Sequence, residues 1–291
     1  ELLQALKRLE YRGYDSYGFV TNSGILKKEV GEIKITKDNN KCKVGLSHCR
    51  WATHGGVSKA NAHPHPDCKN EIFIVHNGII SNYLQLKGKL RDHKFRSETD
   101  SEVIAHYIEE KMKKKNIMRA ISDFFKEAQG EFAVLLIRKG DNKIYAFKRG
   151  SPMVLGIAKD ANIVASDIYA FSDRTDKAVF FDENDLAVVS NNRYEFYKMP
   201  LMTKEKRKLN TIRWTQGEEK HSYKHYMIKE IMEQPIAAKR LLNSLQNEQH
   251  ENLMKLKKLI KNSKRVVFVA SGSSYHASLL GVYFLNKAGI E

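Results

Sequence analysis

Apolar positions along the chain change their period twice. In "ELLQALKRLE" Leu2, Leu6 and Leu9 recur at helical spacing and predict an opening helix; no capping residue precedes it, so it reads as a helix entered midway. Short strand-like runs follow: "YGFVT", "KVGLSHC", "EIFIVHNG", then "FAVLLIR", "KIYAF", "MVLGIA", "NIVAS", "KAVFF", "DLAVVS" and "YEFYK", many of them divided by Gly or Asn/Asp turns. Two segments with apolar residues three and four apart, "TDSEVIAHYIEEKMKKK" and "IMRAISDFFKEAQ", predict helices among them. Strands in runs and helices in blocks predict layered α+β architecture up to about Trp214. From Gly217 the texture is long, charged and helical, with Pro235 the expected kink. Then "RVVFVASGSSYHASLLGVYFL" reads as strand, small polar turn and helix, the way a doubly wound α/β domain opens. The expected division is a first domain over 1–216, a helical linker over 217–262 and the start of a second domain over 263–291, with both ends reading as those of a fragment.

Composition supports a globular reading, since 42% hydrophobic and 29% charged residues are unlike a disordered chain. No apolar run nears the roughly 20 residues of a membrane-spanning helix, and no signal peptide opens the chain, so a soluble, cytoplasmic protein without membrane partners is expected. Three cysteines, Cys42, Cys49 and Cys68, with no C-x-x-C pair favour free thiols. The net charge of +16 raises nucleic acid as a partner, but the lysines are dispersed and no nucleic-acid-binding motif accompanies them; solvated faces are the better reading.

Candidate chemistry concentrates in "SHCRWATHGGVSKANAHPHPDC", residues 47–68. As metal ligands, Cys49, His54, His63, His65 and Cys68 match no paired-ligand spacing of structural zinc, so no metal is expected there. Arg50, ending an apolar run before "WATHGG", offers a planar fork to a carboxylate; a surface ion pair is the plainer alternative. Asn77-Gly78 is a hairpin-turn signal, yet helical periodicity follows it; the alternative is a pair of N–H donors facing a developing oxyanion. Thr99-x-x-Glu102 reads as a capping box with Asp100 in the first turn, either structural or a partner for an ammonium. Arginine for a carboxylate, aspartate for an ammonium and amide donors for a carbonyl describe an α-amino acid with a reactive side-chain carbonyl, and glutamine fits.

The stretches "RLEYRGYDS", "RWATHG", "NAHPH", "VHNGII", "SETDSEVIAH" and "KHYMIKEIMEQP" resemble, in order along nearly the whole chain, the isomerising glutamine:fructose-6-phosphate aminotransferases. The resemblance implies an N-terminal-nucleophile hydrolase domain of αββα layers, followed by the first strand and helix of an α/β sugar isomerase domain. It also implies L-glutamine and fructose 6-phosphate as substrates, a homodimer and no cofactor. By the same resemblance Arg50 and Asp100 grip glutamine, Asn77 and Gly78 form the oxyanion hole, and Trp51, Thr53 and His54 belong to the loop over the substrate. Arg12 lies near that site, His63 matches a histidine at the domain junction, and Ser273 and Ser274 are candidate sugar-phosphate contacts. The family's nucleophile is a cysteine at the mature N-terminus, whereas this sequence opens at Glu1 inside the first helix. Cys49 shares a strand with Arg50 and points the other way, and Cys42 and Cys68 are expected in polar loops with no base beside them, so the fragment is expected to be inactive. Two rival readings are a non-catalytic relative that binds an amino acid and a zinc-binding module using residues 49–68.

Overall fold

A run of alternating residues buries both of its faces only when a layer lies on each side, and the central sheet of this protein is built that way. The computed structural model describes residues 1–35, 42–52, 54–212, 223 and 226–290. The chain divides into two compact units, Glu1–Gly217 and Glu218–Glu291.

In the first unit the chain runs through α1 (Leu2–Lys7), β1 (Ser16–Thr21), β2 (Leu26–Val30), β3 (Gly45–Arg50), β4 (His65–Pro66) and β5 (Ile72–Ile80). Three helices follow, α2 (Tyr83–Gly88), α3 (Glu102–Met112) and α4 (Ile117–Glu127), then β6 (Gly130–Arg138), β7 (Ile144–Arg149), β8 (Val154–Ile157) and β9 (Asn162–Ala165). The unit ends with β10 (Lys177–Phe180), β11 (Asp185–Val189), β12 (Tyr194–Lys198), β13 (Thr203–Glu205) and β14 (Asn210–Thr211). A seven-stranded antiparallel sheet takes the order β13-β12-β11-β7-β6-β5-β4; two smaller sheets are ordered β2-β1-β3 and β14-β10-β8-β9.

One face of the large sheet packs Ile74, Phe132, Val134 and Phe147 against Ile104, Ile108, Ile121 and Phe124 of α3 and α4. Its other face sends Phe73, Val75 and Ile137 to Val20 and Leu46 of the β1–β3 sheet, and Ala146 and Val189 to Leu155 and Val179 of the other small sheet. Outside these, Leu6 and Leu9 at α1 cover the far face with Tyr17 and Phe171. Helix, sheet, sheet and helix layers follow one another, as expected from sequence.

Several local expectations change. Asn77-Gly78 is no turn: both lie inside β5, paired with Ala133 and Phe132 of β6, because Gly78 takes φ +121° within the ladder. Nor do Thr99 and Glu102 form a capping box. Glu102 opens α3 and its carboxylate instead accepts the backbone N–H groups of Arg96 and Ser97. The short strands β2, β4, β13 and β14 carry too few alternating apolar residues to be read in advance.

The second unit consists, among its described residues, of α5 (Tyr226–Gln246), α6 (His250–Asn262) and α7 (Ser273–Lys287). Pro235 lies within α5 without ending it. The strand expected in "RVVFVA" is not formed: residues 265–270 pair with no strand, and Val267 and Val269 are 71% and 93% exposed. A helix closes its own hydrogen bonds, whereas a strand needs a neighbour. Among the described residues no helix is long and apolar enough to cross a membrane.

Candidate active site

The period of two along β3 turns Leu46, His48 and Arg50 to one face and Cys49 to the other. Leu46 enters the core against Phe73 and Val75 of β5, so His48 and Arg50 continue that face toward the end of the large sheet. On β5 the same alternation places Asn77 on the face of Phe73 and Val75 and turns His76 toward α3. Arg50, His48, Asn77, Gly78 and Asp100 thereby line one cavity of about 1210 Å³, together with Arg12, Trp51 and His54. Thr53 lies outside the described residues.

Arg50 is buried, and its guanidinium holds the following loop: Nη1 donates to Gly56 O at 3.2 Å, and Nη2 donates to Gly55 O at 3.3 Å and to His54 O. Burial presses its pKa downward while the carboxylates of Asp15 and Asp100 pull it back up. Asp100 is 4% exposed and its Oδ2 accepts the Ile80 N–H at 2.7 Å, which ties it to the end of β5 and not to the first turn of a helix. Asn77 Oδ1 lies 2.9 Å from His48 Nε2. An amide oxygen only accepts, so His48 donates from Nε2 and the Asn77 NH₂ is left facing elsewhere.

Around these groups the polar atoms thin out. Trp51 is 55% exposed and meets Tyr14 edge-on, with ring centroids 5.8 Å apart. Arg12 turns from the cavity centre to Ser166 O and Asp167 Oδ2, each at 3.3 Å. His63 is buried, stacked on His48 at 4.3 Å between ring centroids. Ser273 and Ser274 belong to the second unit, exposed in the first turn of α7, and their hydroxyls have no partner among the described residues.

The cysteines differ from one another. Cys49 Sγ donates to Leu9 O at 3.6 Å, and burial pushes its pKa up to about 11. Cys42 is exposed, with its pKa also raised, chiefly by desolvation. Cys68 corrects the expectation of a thiol with no base beside it: His93 and His106 lie against its sulfur.

Comparison with known proteins follows this geometry. The model of a glutamine amidotransferase domain matches residues 48–173. A glutamine–fructose-6-phosphate aminotransferase (isomerizing) of Thermotoga maritima is 39% identical over 99% of this chain and 50% of its own length; one of Thermococcus kodakarensis is 39% identical over 96% and 48%. The chain belongs to this family. It spans about half the length of the curated relatives it matches. Among solved structures, a glutamine phosphoribosylpyrophosphate amidotransferase from B. subtilis has a TM-score of 0.58 at 22% identity, covering 67% of this chain and 45% of that one. A likeness that distant speaks to the fold, and it agrees with the layering of the first unit.

Two residues of the cavity escaped the sequence reading. His48 orients Asn77, and its position two before Arg50 on one strand was the available signal. Ser101 bonds His76 Nδ1 at 2.8 Å, a contact that depends on how α3 docks on β5 and leaves no local mark. Burial lowers the pKa of both His48 and His76 to about 4, opposed by the Asn77 hydrogen bond in the first and by Asp100 in the second. His48 and His76 are therefore neutral imidazoles at neutral pH.

Proposed function

We propose that the first unit is the glutaminase part of a glutamine–fructose-6-phosphate aminotransferase. It takes L-glutamine, cleaves the side-chain amide through a cysteine thioester and passes ammonia to fructose 6-phosphate, giving glutamate and glucosamine 6-phosphate. The division that goes with this reading is a glutaminase domain over 1–216, a linker over 217–262 and the start of a sugar isomerase domain over 263–291, in a homodimeric protein. No metal or organic cofactor takes part in the reaction.

One observation carries the reading: Arg50, Asn77, Gly78 and Asp100 line a single cavity, in which the Arg50 and Asp100 charges act on each other. Loop carbonyls take three of the guanidinium contacts, and the donors that remain grip the α-carboxylate of glutamine. Asp100 receives the ammonium. The Asn77 NH₂ and the Gly78 N–H donate to the tetrahedral oxyanion, an interaction worth about 3 kcal/mol per donor. Trp51, Thr53 and His54 form the loop over the substrate, with Arg12 at its margin. Ser273 and Ser274 are assigned to fructose 6-phosphate on sequence alone.

None of the three cysteines serves as nucleophile, since Cys49 is held as a thiol on Leu9 O, Cys42 is exposed and Cys68 belongs to a separate cluster. These 291 residues alone are therefore inactive as a glutaminase. β3 and β9 are edge strands of their sheets and both line the cavity. In the intact protein, Arg50→Ala raises the KM for glutamine about 100-fold while synthesis from added ammonia persists. Unchanged glutamine kinetics in that variant overturn the assignment.

A further inference from the structure

Behind the cavity wall, on the helix side of the large sheet, four side chains from three separate segments converge on one point. Cys68 comes from the turn between β4 and β5, His93 from the segment after α2, and His106 and Glu109 from successive turns of α3. Their inner atoms all lie within 4.8 Å of one another. Cys68 Sγ is 3.5 Å from His93 Nδ1 and 3.4 Å from His106 Nδ1, and the two Nδ1 atoms are 3.3 Å apart. Glu109 Oε2 is 3.0 Å from His93 Nδ1 and 3.4 Å from His106 Nδ1.

Between neutral rings this arrangement is short of hydrogen-bond donors. Each imidazole directs its outer nitrogen at a carboxylate: His93 Nε2 meets Glu110 Oε2 at 2.9 Å and His106 Nε2 meets Glu102 Oε1 at 3.4 Å. A neutral ring that donates outward from Nε2 turns a lone pair inward at Nδ1. Two such lone pairs then face each other, and the Glu109 Oε2 beside them already accepts the Cys68 backbone N–H at 3.1 Å, so the thiol proton is the one donor left among the inward side-chain atoms. A cation at the common centre removes that repulsion.

We infer that Cys68, His93, His106 and Glu109 form a closed tetrahedral site for a divalent transition-metal ion, with zinc the expected occupant. Five of the six edges lie between 3.0 and 3.5 Å and the sixth, from sulfur to carboxylate, is within 4.8 Å; a regular tetrahedron with edges of about 3.3 Å has its centre about 2.0 Å from each corner, the length of zinc–nitrogen and zinc–oxygen bonds. The mixed S, N, N, O donor set suits zinc and not magnesium or calcium. A thiolate and a carboxylate balance the two charges of the ion, which suits a site where the side chains of His93 and His106 are 4% and 1% exposed. The outer carboxylates supply the histidine-orienting partners that such sites use. Glu102 is itself fixed by the N–H groups of Arg96 and Ser97, so the site joins α3, the irregular segment before it and the approach to Asp100. All four corners are protein atoms, which makes the role structural and independent of the glutaminase reading.

The sequence pointed away from this site because only Cys68 comes from the histidine-rich stretch, while its partners lie 25, 38 and 41 residues further on. The test is metal content, with no histidine tag and no chelator during purification. One zinc per chain that survives dialysis is expected; a protein that folds fully and carries none overturns the site. Cobalt exchanged into the wild-type protein should give intense tetrahedral visible absorption and a near-ultraviolet thiolate band. Cys68→Ser should abolish that band, and Cys42→Ser and Cys49→Ser should keep it. A weak octahedral spectrum, or a thiolate band that survives Cys68→Ser, refutes the assignment. Should Cys68→Ser fail to fold, the wild-type zinc content and cobalt spectrum still decide.

Discussion

Residues 99–102 run between two polar regions of opposite character. On one side Asp100 and Ser101 border the cavity; on the other Glu102 supports His106 in the cysteine–histidine cluster. Four buried side-chain polar atoms have no hydrogen-bond partner among the described residues, and three of them, His48 Nδ1, His54 Nδ1 and His76 Nε2, belong to residues lining the cavity. In the cluster every ring nitrogen has a neighbour within 3.4 Å. Burying a polar atom without a partner costs on the order of 1–3 kcal/mol, so a protein accumulates such atoms only where something else meets them. Unpartnered atoms in the cavity suit the ligand proposed for it, and the close-set ring nitrogens of the cluster suit the fixed centre inferred there.

The sharpest break in the cavity wall comes from Gly78. A Cβ there would sit 2.1 Å from Glu131 O and 2.8 Å from Glu131 C, on backbone already at φ +121°. Gly78→Ala therefore parts β5 from β6 and moves the oxyanion donor, costing about 2–4 kcal/mol of stability and at least about 100-fold in glutaminase kcat. Gly88→Ala is the control, since a Cβ in α2 meets nothing within 4 Å. Denaturant midpoints and glutamate release, both measured on the two variants of the intact protein, read the result. Equal midpoints remove the argument that the β5–β6 approach fixes the hole.

Acid distinguishes the regions next. The folded state holds His76, 4% exposed, at a pKa of about 4, while an unfolded chain titrates it near 6.5. The unfolded state binds the extra proton between those values, so the contribution is complete above pH 6.5 and is lost as pH falls toward 4. About 2 kcal/mol disappears by pH 5 from this ring, and His63 and His65, also depressed by burial, add to it. Thermal midpoints from pH 7 to 5 should fall, and His76→Gln should flatten the slope. Zinc measured across the same series isolates the cluster, whose ligands must be deprotonated to hold a metal.

The difference in legibility between these regions has a physical origin. Helices α3 and α4 and most long strands were readable because period and burial agree along them, and Arg50, Asn77 and Asp100 could be singled out by residue type before the fold brought them to one cavity. The cluster was not, because its four members come from three separate segments and acquire meaning only when α3 docks on the large sheet. "RVVFVA" fails for the converse reason: its pattern is that of a buried strand, and no neighbouring strand is present among the described residues to bury it. A pattern states what a segment needs, and only the fold states whether the need is met.

The smallest effect tests whether the cavity's histidines merely fill space. His48 donates to Asn77 Oδ1 and so decides which end of that amide faces the substrate. His48→Phe keeps the ring volume and removes the donor, which frees the Asn77 amide to rotate. Its loss is worth about 1 kcal/mol, or roughly 5- to 10-fold in kcat with glutamine, while KM stays within about twofold because the groups on the amino acid are untouched. His48→Gln restores an N–H donor and should recover part of the rate. A purely structural role predicts instead a fall in thermal midpoint, equal losses with glutamine and with ammonia, and no rescue by Gln, so the split between the two nitrogen sources separates positioning from packing.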